Sequence, residues 1–179
     1  MNLVLIGYRG TGKSTVARRL SLLLGWDPVD ADEQIERRAA RSIAEIFRDQ
    51  GEPHFRQLEA EELERLARGE RQIIASGGGV VLRPENRALL GRMGRVVWLR
   101  ARPETIVARL AADASTAARR PPLTSAAGMD EVVQLLAQRS PWYEECADLV
   151  VDTDDKSPAE IATEIVSGLA LAPDPARST

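Results

Sequence analysis

The chain has 179 residues, of which 44% are hydrophobic and 28% charged, and these values predict one domain with a full core. The formal net charge of −3 gives no reason to expect a nucleic-acid partner, and no apolar run approaches the length of a membrane span. The single cysteine and the single histidine exclude an internal disulfide, a cysteine-based zinc site and a site with several histidines, and they fit a reducing cytoplasm.

The first predicted elements surround a glycine-rich loop. Residues 2–6 are a short apolar run of strand type, residues 7–14 read GYRGTGKS, and residues 14–24 place apolar side chains on one helical face. The loop fits G-x-x-x-x-G-K-[ST], the phosphate-binding P-loop, and a strand before it and a helix after it are the context that this motif requires. Its glycines let the backbone N–H groups turn inward, and the helix adds the positive end of its dipole. We therefore expect it to bind a nucleoside triphosphate with magnesium.

The residue types within the loop predict which group each of them holds. Lys13 should reach the β- and γ-phosphates as a point charge, and the Ser14 hydroxyl should ligate Mg²⁺. The ATP-binding residues expected in this segment are Gly10, Thr11, Gly12, Lys13, Ser14 and Thr15.

Two aspartates follow at the end of the second predicted strand, residues 28–30. Asp30 and Asp32 stand at its carboxyl end, which is the edge where open α/β sheets carry their ligands. They are two residues apart and could face one side of an extended chain. Alternatively, Asp30 caps the following helix and Asp32 is an acid of its first turn. Beside a P-loop the pair is a candidate site, because Mg²⁺ needs a supporting acid and the acceptor needs an orienting group.

The middle of the chain adds a cation and a glycine triplet to these candidates. The capping box at residues 42–45 predicts a short helix that ends near Gly51, and a long charged helix follows, with Arg56 near its start. The helix dipole does not favour a cation there, so Arg56 could bind an anion, although a surface arginine is also common. A third strand at 72–75 runs into Gly77, Gly78 and Gly79, which bring the backbone close to another group or form a tight turn.

An irregular segment follows the fourth predicted strand (95–99) and a helix at 103–112. This segment, residues 113–129, contains Arg119 and Arg120. An irregular stretch of that length is usually disordered or a functional lid, and the arginines favour a mobile lid over about residues 113–128.

The last predicted elements complete a regular alternation of strands and helices. They are a helix at 130–138, a fifth strand at 148–152 and a final helix that starts in a capping box at 157–160. The alternation predicts an α/β fold, a three-layer P-loop kinase architecture in which helices cover a five-stranded parallel sheet. We expect one domain over residues 1–170, with a substrate-binding helical region at about 31–62, and a flexible tail at 171–179.

Several motifs occur in a fixed order along nearly the whole chain. They are the P-loop, Asp30-x-Asp32, Phe55-Arg56, the glycines at 77–79, Arg120-Pro121, Arg139-x-Pro141-x-Tyr143 and Val151-Asp152-Thr153. Many enzymes share the P-loop, but the combination is specific, and with it the chain resembles shikimate kinase. The resemblance implies transfer of the γ-phosphoryl group of ATP to the 3-hydroxyl of shikimate, in the pathway to chorismate and the aromatic amino acids, with Mg²⁺ as cofactor and ATP as co-substrate.

The resemblance also implies roles for single residues. On the substrate side, Asp32 resembles the aspartate that holds the substrate hydroxyls, Arg56 and Arg139 resemble the pair that grips the shikimate carboxylate, and the backbone of Gly77, Gly78 and Gly79 is similar to the segment that lies against the ring. On the nucleotide side, Asp30 resembles the acid that supports magnesium through water, Arg120 the lid arginine that closes over the phosphates, and Arg109 and Pro158 the residues that sandwich adenine. The implied catalytic residues are Lys13, Asp32 and Arg120.

Two alternatives and two details stay open at this stage. The first alternative is another small-molecule P-loop kinase, for gluconate or a nucleoside monophosphate, because Arg56 and Arg139 would serve a carboxylate or a phosphate equally well. A non-catalytic ATP-binding module is the second alternative, and the presence of Asp32 and Arg120 disfavours it. Arg119 could replace Arg120 over the phosphates, and Asp32 could accept the proton or only orient the hydroxyl. We expect a cytoplasmic monomer that binds small molecules, without a nucleic-acid or membrane partner.

Overall fold

Five parallel strands form the centre of the structure, a computed structural model that describes residues 1–112 and 128–173. The strands are β1 (Asn2–Ile6), β2 (Asp27–Asp30), β3 (Gln72–Ala75), β4 (Gly94–Arg100) and β5 (Leu149–Asp152). They form one sheet in the order β2-β3-β1-β4-β5, and every neighbouring pair is parallel. The predicted five-stranded parallel sheet is therefore confirmed.

Seven α-helices occur in the part of the chain that the structure describes. They are α1 (Lys13–Leu24), α2 (Ala31–Ala39), α3 (Ile43–Leu66), α4 (Pro84–Met93), α5 (Pro103–Ala112), α6 (Met129–Cys146) and α7 (Pro158–Gly168). A short 3₁₀ turn, Val80–Leu82, follows the glycine triplet. No helix in residues 1–112 and 128–173 has both the length and the apolar character that crossing a membrane requires.

The central strand shows why the helices form two layers. All five residues of β1 are buried, and successive side chains enter different apolar clusters. Leu3 and Leu5 pack with α1 and α7, whereas Val4 and Ile6 pack with α3, α4 and α6. Since side chains alternate across a strand, these two clusters lie on opposite faces of the sheet. The three-layer α/β prediction is confirmed, and β1 carries the P-loop from the middle of the sheet.

Local signals start and interrupt the helices that flank the site. The Ser42 side chain accepts from the backbone of Glu45, and the Glu45 carboxylate accepts from the backbone of Ser42, so the capping box at the start of α3 is present. Within α3, Gly51 has φ 79° and ψ 172°, which breaks the helical path as the sequence predicted near this glycine. The segment with Arg56 is therefore a second helical stretch with its own direction.

One predicted boundary is wrong. The helix expected to end at residue 138 continues as α6 through Pro141 to Cys146. Proline removes one backbone donor and is normally a helix breaker, but the buried side chains of Arg139 and Tyr143 anchor the last turns against the rest of the protein. The lid predicted at 113–128, with Arg119 and Arg120, lies outside the described residues except for Gly128, and so does the predicted tail after residue 173.

Candidate active site

The P-loop forms the turn that its glycines require. Gly7, Gly10 and Gly12 have φ values of 136°, 80° and 90°, all in the region that favours glycine. A Cβ atom on Gly7 would lie 2.4 Å from the Leu99 carbonyl oxygen, so the loop also passes too close to β4 for any side chain. The Lys13 ammonium donates to the carbonyl oxygens of Gly7 and Tyr8, at 2.8 Å each. The loop thus holds its lysine over its own concave face.

Ser14 and Asp30 meet at the edge of this loop. The Ser14 hydroxyl donates to Asp30 Oδ2 at 2.5 Å. The other carboxylate oxygen, Oδ1, accepts from the backbone N–H groups of Asp32 and Glu33, at 3.1 and 3.3 Å. Asp30 is therefore the cap of α2, as the alternative interpretation predicted, and it also lies beside the P-loop serine.

The same pair fits a magnesium ion. A hydroxyl and a carboxylate are hard oxygen donors of the kind that Mg²⁺ prefers. In residues 1–112 and 128–173 there is no group of three or more His, Cys, Asp or Glu that could hold a metal. An ion at Ser14 and Asp30 would therefore take most of its ligands from phosphate oxygens and water, as is usual for Mg²⁺ beside a nucleotide.

Asp32 differs from one expectation. It does not share an extended strand with Asp30 but lies in the first turn of α2, where an acid is favoured by the helix dipole. A cavity of ≈ 450 Å³ nevertheless joins it to the phosphate loop, because Lys13, Ser14, Asp32 and Gly78 all line that space. The fold therefore connects the nucleotide side and the acceptor side of the predicted site.

Both predicted substrate arginines converge on the glycine triplet from different helices. Arg139, on α6, donates from Nη1 to the Gly78 carbonyl at 3.2 Å. Arg56, on α3, lies against Gly79 so closely that a Cβ atom there would be 2.2 Å from its Nη1. Gly77 closes the turn by accepting from the Val80 N–H at 3.2 Å. The two guanidinium groups and the triplet backbone thus form one surface beside the cavity.

The two arginines differ in what they already bind. Arg56 Nε and Nη2 donate to one oxygen of Glu52 at 3.0 and 2.9 Å, and Nη1 donates to Glu59 at 2.8 Å. Burial lowers the pKa of Arg56, but Glu59 and Glu52 outweigh this and raise it above its ordinary value, so the group stays charged. Arg139 is only 6% exposed, and its Nε is buried with no hydrogen-bond partner among the described residues. A buried guanidinium donor of this kind is costly unless a ligand satisfies it.

The predicted adenine-binding residues, Arg109 and Pro158, belong to α5 and α7. Arg109, near the end of α5, donates to the Thr153 hydroxyl at 2.9 Å and to the Thr153 carbonyl at 2.7 Å. Arg109 and Thr15 line the cavity together with the glycines of the loop, and Thr11 is buried beneath it with its hydroxyl on the Tyr8 carbonyl. Pro158 starts α7, five residues after Thr153, and is exposed. Arg120 lies outside the described residues.

Sequence reasoning missed three partners of these residues. Glu59 was treated only as part of a long charged helix and Glu52 was given no role, yet they lie three and four residues from Arg56 on one helix, which was a usable signal. Tyr8 gave no signal, but its buried ring contacts both Arg9 and Arg139, whose guanidinium carbons lie 5.8 and 5.7 Å from the ring centroid. Such contacts favour charged arginine beside an aromatic face.

The P-loop follows the central strand of a parallel sheet, and a cavity joins it to Asp32 and to Gly78, which Arg139 contacts from outside the cavity lining. These features define a P-loop kinase that acts on a small molecule. The family model for shikimate kinase matches residues 9–170. A shikimate kinase of Rhodopirellula baltica is 46% identical over 92% of this chain and 88% of its own length, and one of Symbiobacterium thermophilum is 43% identical over 94% and 96%. The chain belongs to the shikimate kinase family, and its activity is ATP-dependent phosphorylation of shikimate.

Solved structures agree with this assignment. The shikimate kinase of Acinetobacter baumannii, determined in complex with shikimate, has a TM-score of 0.88 at 32% identity and covers 94% of this chain and 92% of that chain. A gluconokinase of Sinorhizobium meliloti has a TM-score of 0.54 at 19% identity over 94% and 91%, which shows a shared fold alone. The gluconate and nucleotide kinase alternatives are therefore not favoured, and neither is a non-catalytic module.

Proposed function

We propose that this kinase transfers the γ-phosphoryl group of ATP to the 3-hydroxyl of shikimate, with Mg²⁺, as a monomer in the cytoplasm. The observation that carries the proposal is the convergence of Arg56 and Arg139 on Gly78 and Gly79, where Gly78 also lines the cavity shared by Lys13 and Asp32. An acceptor with a carboxylate at one end and hydroxyl groups at the other would span this arrangement.

Arg139 would be the first anchor of the carboxylate. Its buried Nε lacks a partner among the described residues, and a carboxylate oxygen would satisfy it. A planar guanidinium can offer two parallel hydrogen bonds to a carboxylate, which fixes both the position and the angle of the ligand. Arg56 would add the second positive charge after its Nε and Nη2 leave the half-exposed Glu52 carboxylate.

The nucleotide would be held by groups that now bind one another. Lys13 would exchange the carbonyl oxygens of Gly7 and Tyr8 for phosphate oxygens, which strengthens its bonds because both partners are then charged. Ser14 and Asp30 would hold Mg²⁺, which supplies charge neutralisation at the β- and γ-phosphates when bound. Arg109 and Pro158 would flank adenine, and we assign Arg120 to the phosphates from the sequence.

Asp32 would orient the attacking hydroxyl. It lines the same cavity as Lys13 and Gly78, so a carboxylate there can accept a hydrogen bond from an acceptor hydroxyl as that oxygen approaches the γ-phosphorus. A loose phosphoryl-transfer transition state requires positioning and charge neutralisation more than early proton removal. The proton would therefore pass to Asp32 late, as the new P–O bond forms.

A coupled ADP-release assay tests the proposal with separate acceptors. Shikimate should support turnover, whereas gluconate and nucleoside monophosphates should give only background ADP. The phosphorylated carbon would be identified from ¹H–³¹P coupling in the product, and a product substituted at another hydroxyl would contradict the assignment of the 3-position. Omitting Mg²⁺ should abolish turnover, and sedimentation at working concentrations should give the mass of one chain, 19.6 kDa.

A further inference from the structure

The glycine triplet forms a turn whose central peptide has two possible orientations. The Val80 N–H donates to the Gly77 carbonyl at 3.2 Å, which closes a four-residue turn, and Gly79 has φ −105° and ψ 5°. These angles belong to a type I turn, whereas a type II turn requires a positive φ at the same position. The two types differ mainly by a flip of the Gly78–Gly79 peptide. Glycine at both central positions permits either form, so the turn's own sequence does not select one.

Helix α6 supplies the groups that select the observed form. The Gly78 carbonyl accepts one hydrogen bond from the Tyr143 hydroxyl and one from Arg139 Nη1. These two residues are four apart on α6 and thus lie on the same face of the helix. The Tyr143 side chain is fully buried, and its ring stacks on Trp98 with 5.6 Å between the ring centroids. A flipped peptide would turn the carbonyl away and leave both donors buried without it.

The Tyr143 hydroxyl is a permanent donor. Burial raises the pKa of this phenol well above its ordinary value, against the opposing effect of the nearby Arg139 charge. The phenol therefore remains protonated, and able to donate, at every pH at which a tyrosine is ordinarily neutral.

We propose that Tyr143 is a positioning residue for shikimate: its hydroxyl holds the Gly78 carbonyl toward α6, and that carbonyl in turn fixes the guanidinium plane of Arg139. Because the Gly78–Gly79 peptide is trans, fixing the Gly78 carbonyl toward α6 also directs the Gly79 N–H away from α6. With Nη1 donating to Gly78, the Nε of Arg139 is a buried donor that has no partner among the described residues and can serve an anion. This inference rests on the proposed binding of the shikimate carboxylate to Arg139.

Tyr143→Phe removes only the hydroxyl oxygen and therefore tests its hydrogen bond to the Gly78 carbonyl. The phenyl ring keeps the packing against Trp98, so the variant should fold. We expect the KM for shikimate to rise by about 3- to 10-fold, the effect of one buried neutral hydrogen bond, while the KM for ATP changes by less than about twofold. The matched control is Trp142→Phe, which alters a half-buried ring on the same helix that contacts Arg87 and not Gly78. It should lower the melting temperature without changing either KM.

Each result of this comparison decides the role of Tyr143. A selective rise of the shikimate KM in Tyr143→Phe, absent from Trp142→Phe, supports positioning. An unchanged shikimate KM with a lower melting temperature, or equal changes in both KM values, would show a merely structural role and overturn the inference. A third variant, Arg139→Lys, tests the proposed carboxylate site separately from the positioning role of Tyr143. If Arg139→Lys leaves the shikimate KM unchanged, the proposed carboxylate site itself is wrong. If Arg139→Lys raises that KM and Tyr143→Phe does not, only the positioning role of Tyr143 is wrong.

Discussion

Replacing Gly79 by alanine would test the arginine site without removing any charge. The new Cβ would lie 2.2, 2.5 and 2.6 Å from Nη1, Cζ and Nη2 of Arg56, closer than atoms can approach, so the guanidinium must move. The backbone angles of Gly79, φ −105° and ψ 5°, are accessible to alanine, and steric displacement is therefore the main effect. Hydrogen bonds to charged groups contribute about 1.5–3 kcal/mol, so losing the one from Arg56 to the carboxylate should raise the KM for shikimate by roughly 10- to 150-fold.

Stability should fall in the same variant. Arg56 pairs with Glu59, whose side chain is only 3% exposed, and moving the guanidinium weakens this buried pair. Breaking such a pair outright costs about 3–5 kcal/mol, and partial re-pairing should keep the loss in unfolding free energy below that range. Urea denaturation would measure it, and the ADP-release assay would give the KM values for shikimate and ATP separately.

Gly91 offers a matched control for this substitution. It lies in the exposed part of α4, and a Cβ atom there would meet no atom within 4 Å. Gly91→Ala should raise the unfolding free energy by about 0.5–1 kcal/mol and leave both KM values unchanged. A folded Gly79→Ala variant whose shikimate KM stays within about threefold of the parent would refute the proposal that Arg56, in its position beside Gly79, binds the shikimate carboxylate.

Three further substitutions address the remaining roles. Asp30→Asn keeps a good cap for α2 but removes the charge beside Ser14. The Mg²⁺ concentration for half-maximal velocity should therefore rise by about 10- to 100-fold, with little change in melting temperature. An unchanged magnesium requirement would exclude Asp30 from the metal site. Asp32→Asn should bind ATP almost normally in a nucleotide titration and lose about 100-fold or more in kcat, because the amide lacks the charge and half of the accepting capacity; near-normal kcat would remove Asp32 from catalysis. Glu52→Gln should lower the KM for shikimate by about two- to fivefold, because Glu52 now occupies the edge of Arg56 that a carboxylate would use; a higher KM in steady-state kinetics would contradict competition at that edge.

The sequence by itself determined the order of the elements and the form of the P-loop. Alternating apolar runs, the two capping boxes and the P-loop depend on residues close together in the chain, and all of them have the predicted form. Asp30 was found for the same reason, because a strand end and a helix start are local signals. Its dual role as cap and partner of Ser14 became clear only when α1 and β2 were seen side by side.

The geometry of the proposed acceptor site was decided by the tertiary structure alone. Arg139 and Tyr143 reach the Gly78 carbonyl across 61 and 65 residues of chain, through a helix that sequence reasoning ended before either of them. The triplet Gly77–Gly78–Gly79 predicts a close backbone approach or a tight turn, but it allows two orientations of the Gly78–Gly79 peptide. Hydrogen bonds between distant segments select one of them, since a buried donor or acceptor must find its partner wherever packing places it. Sequence patterns carry the periodicity of single elements, whereas these partners depend on how the helices pack against the sheet.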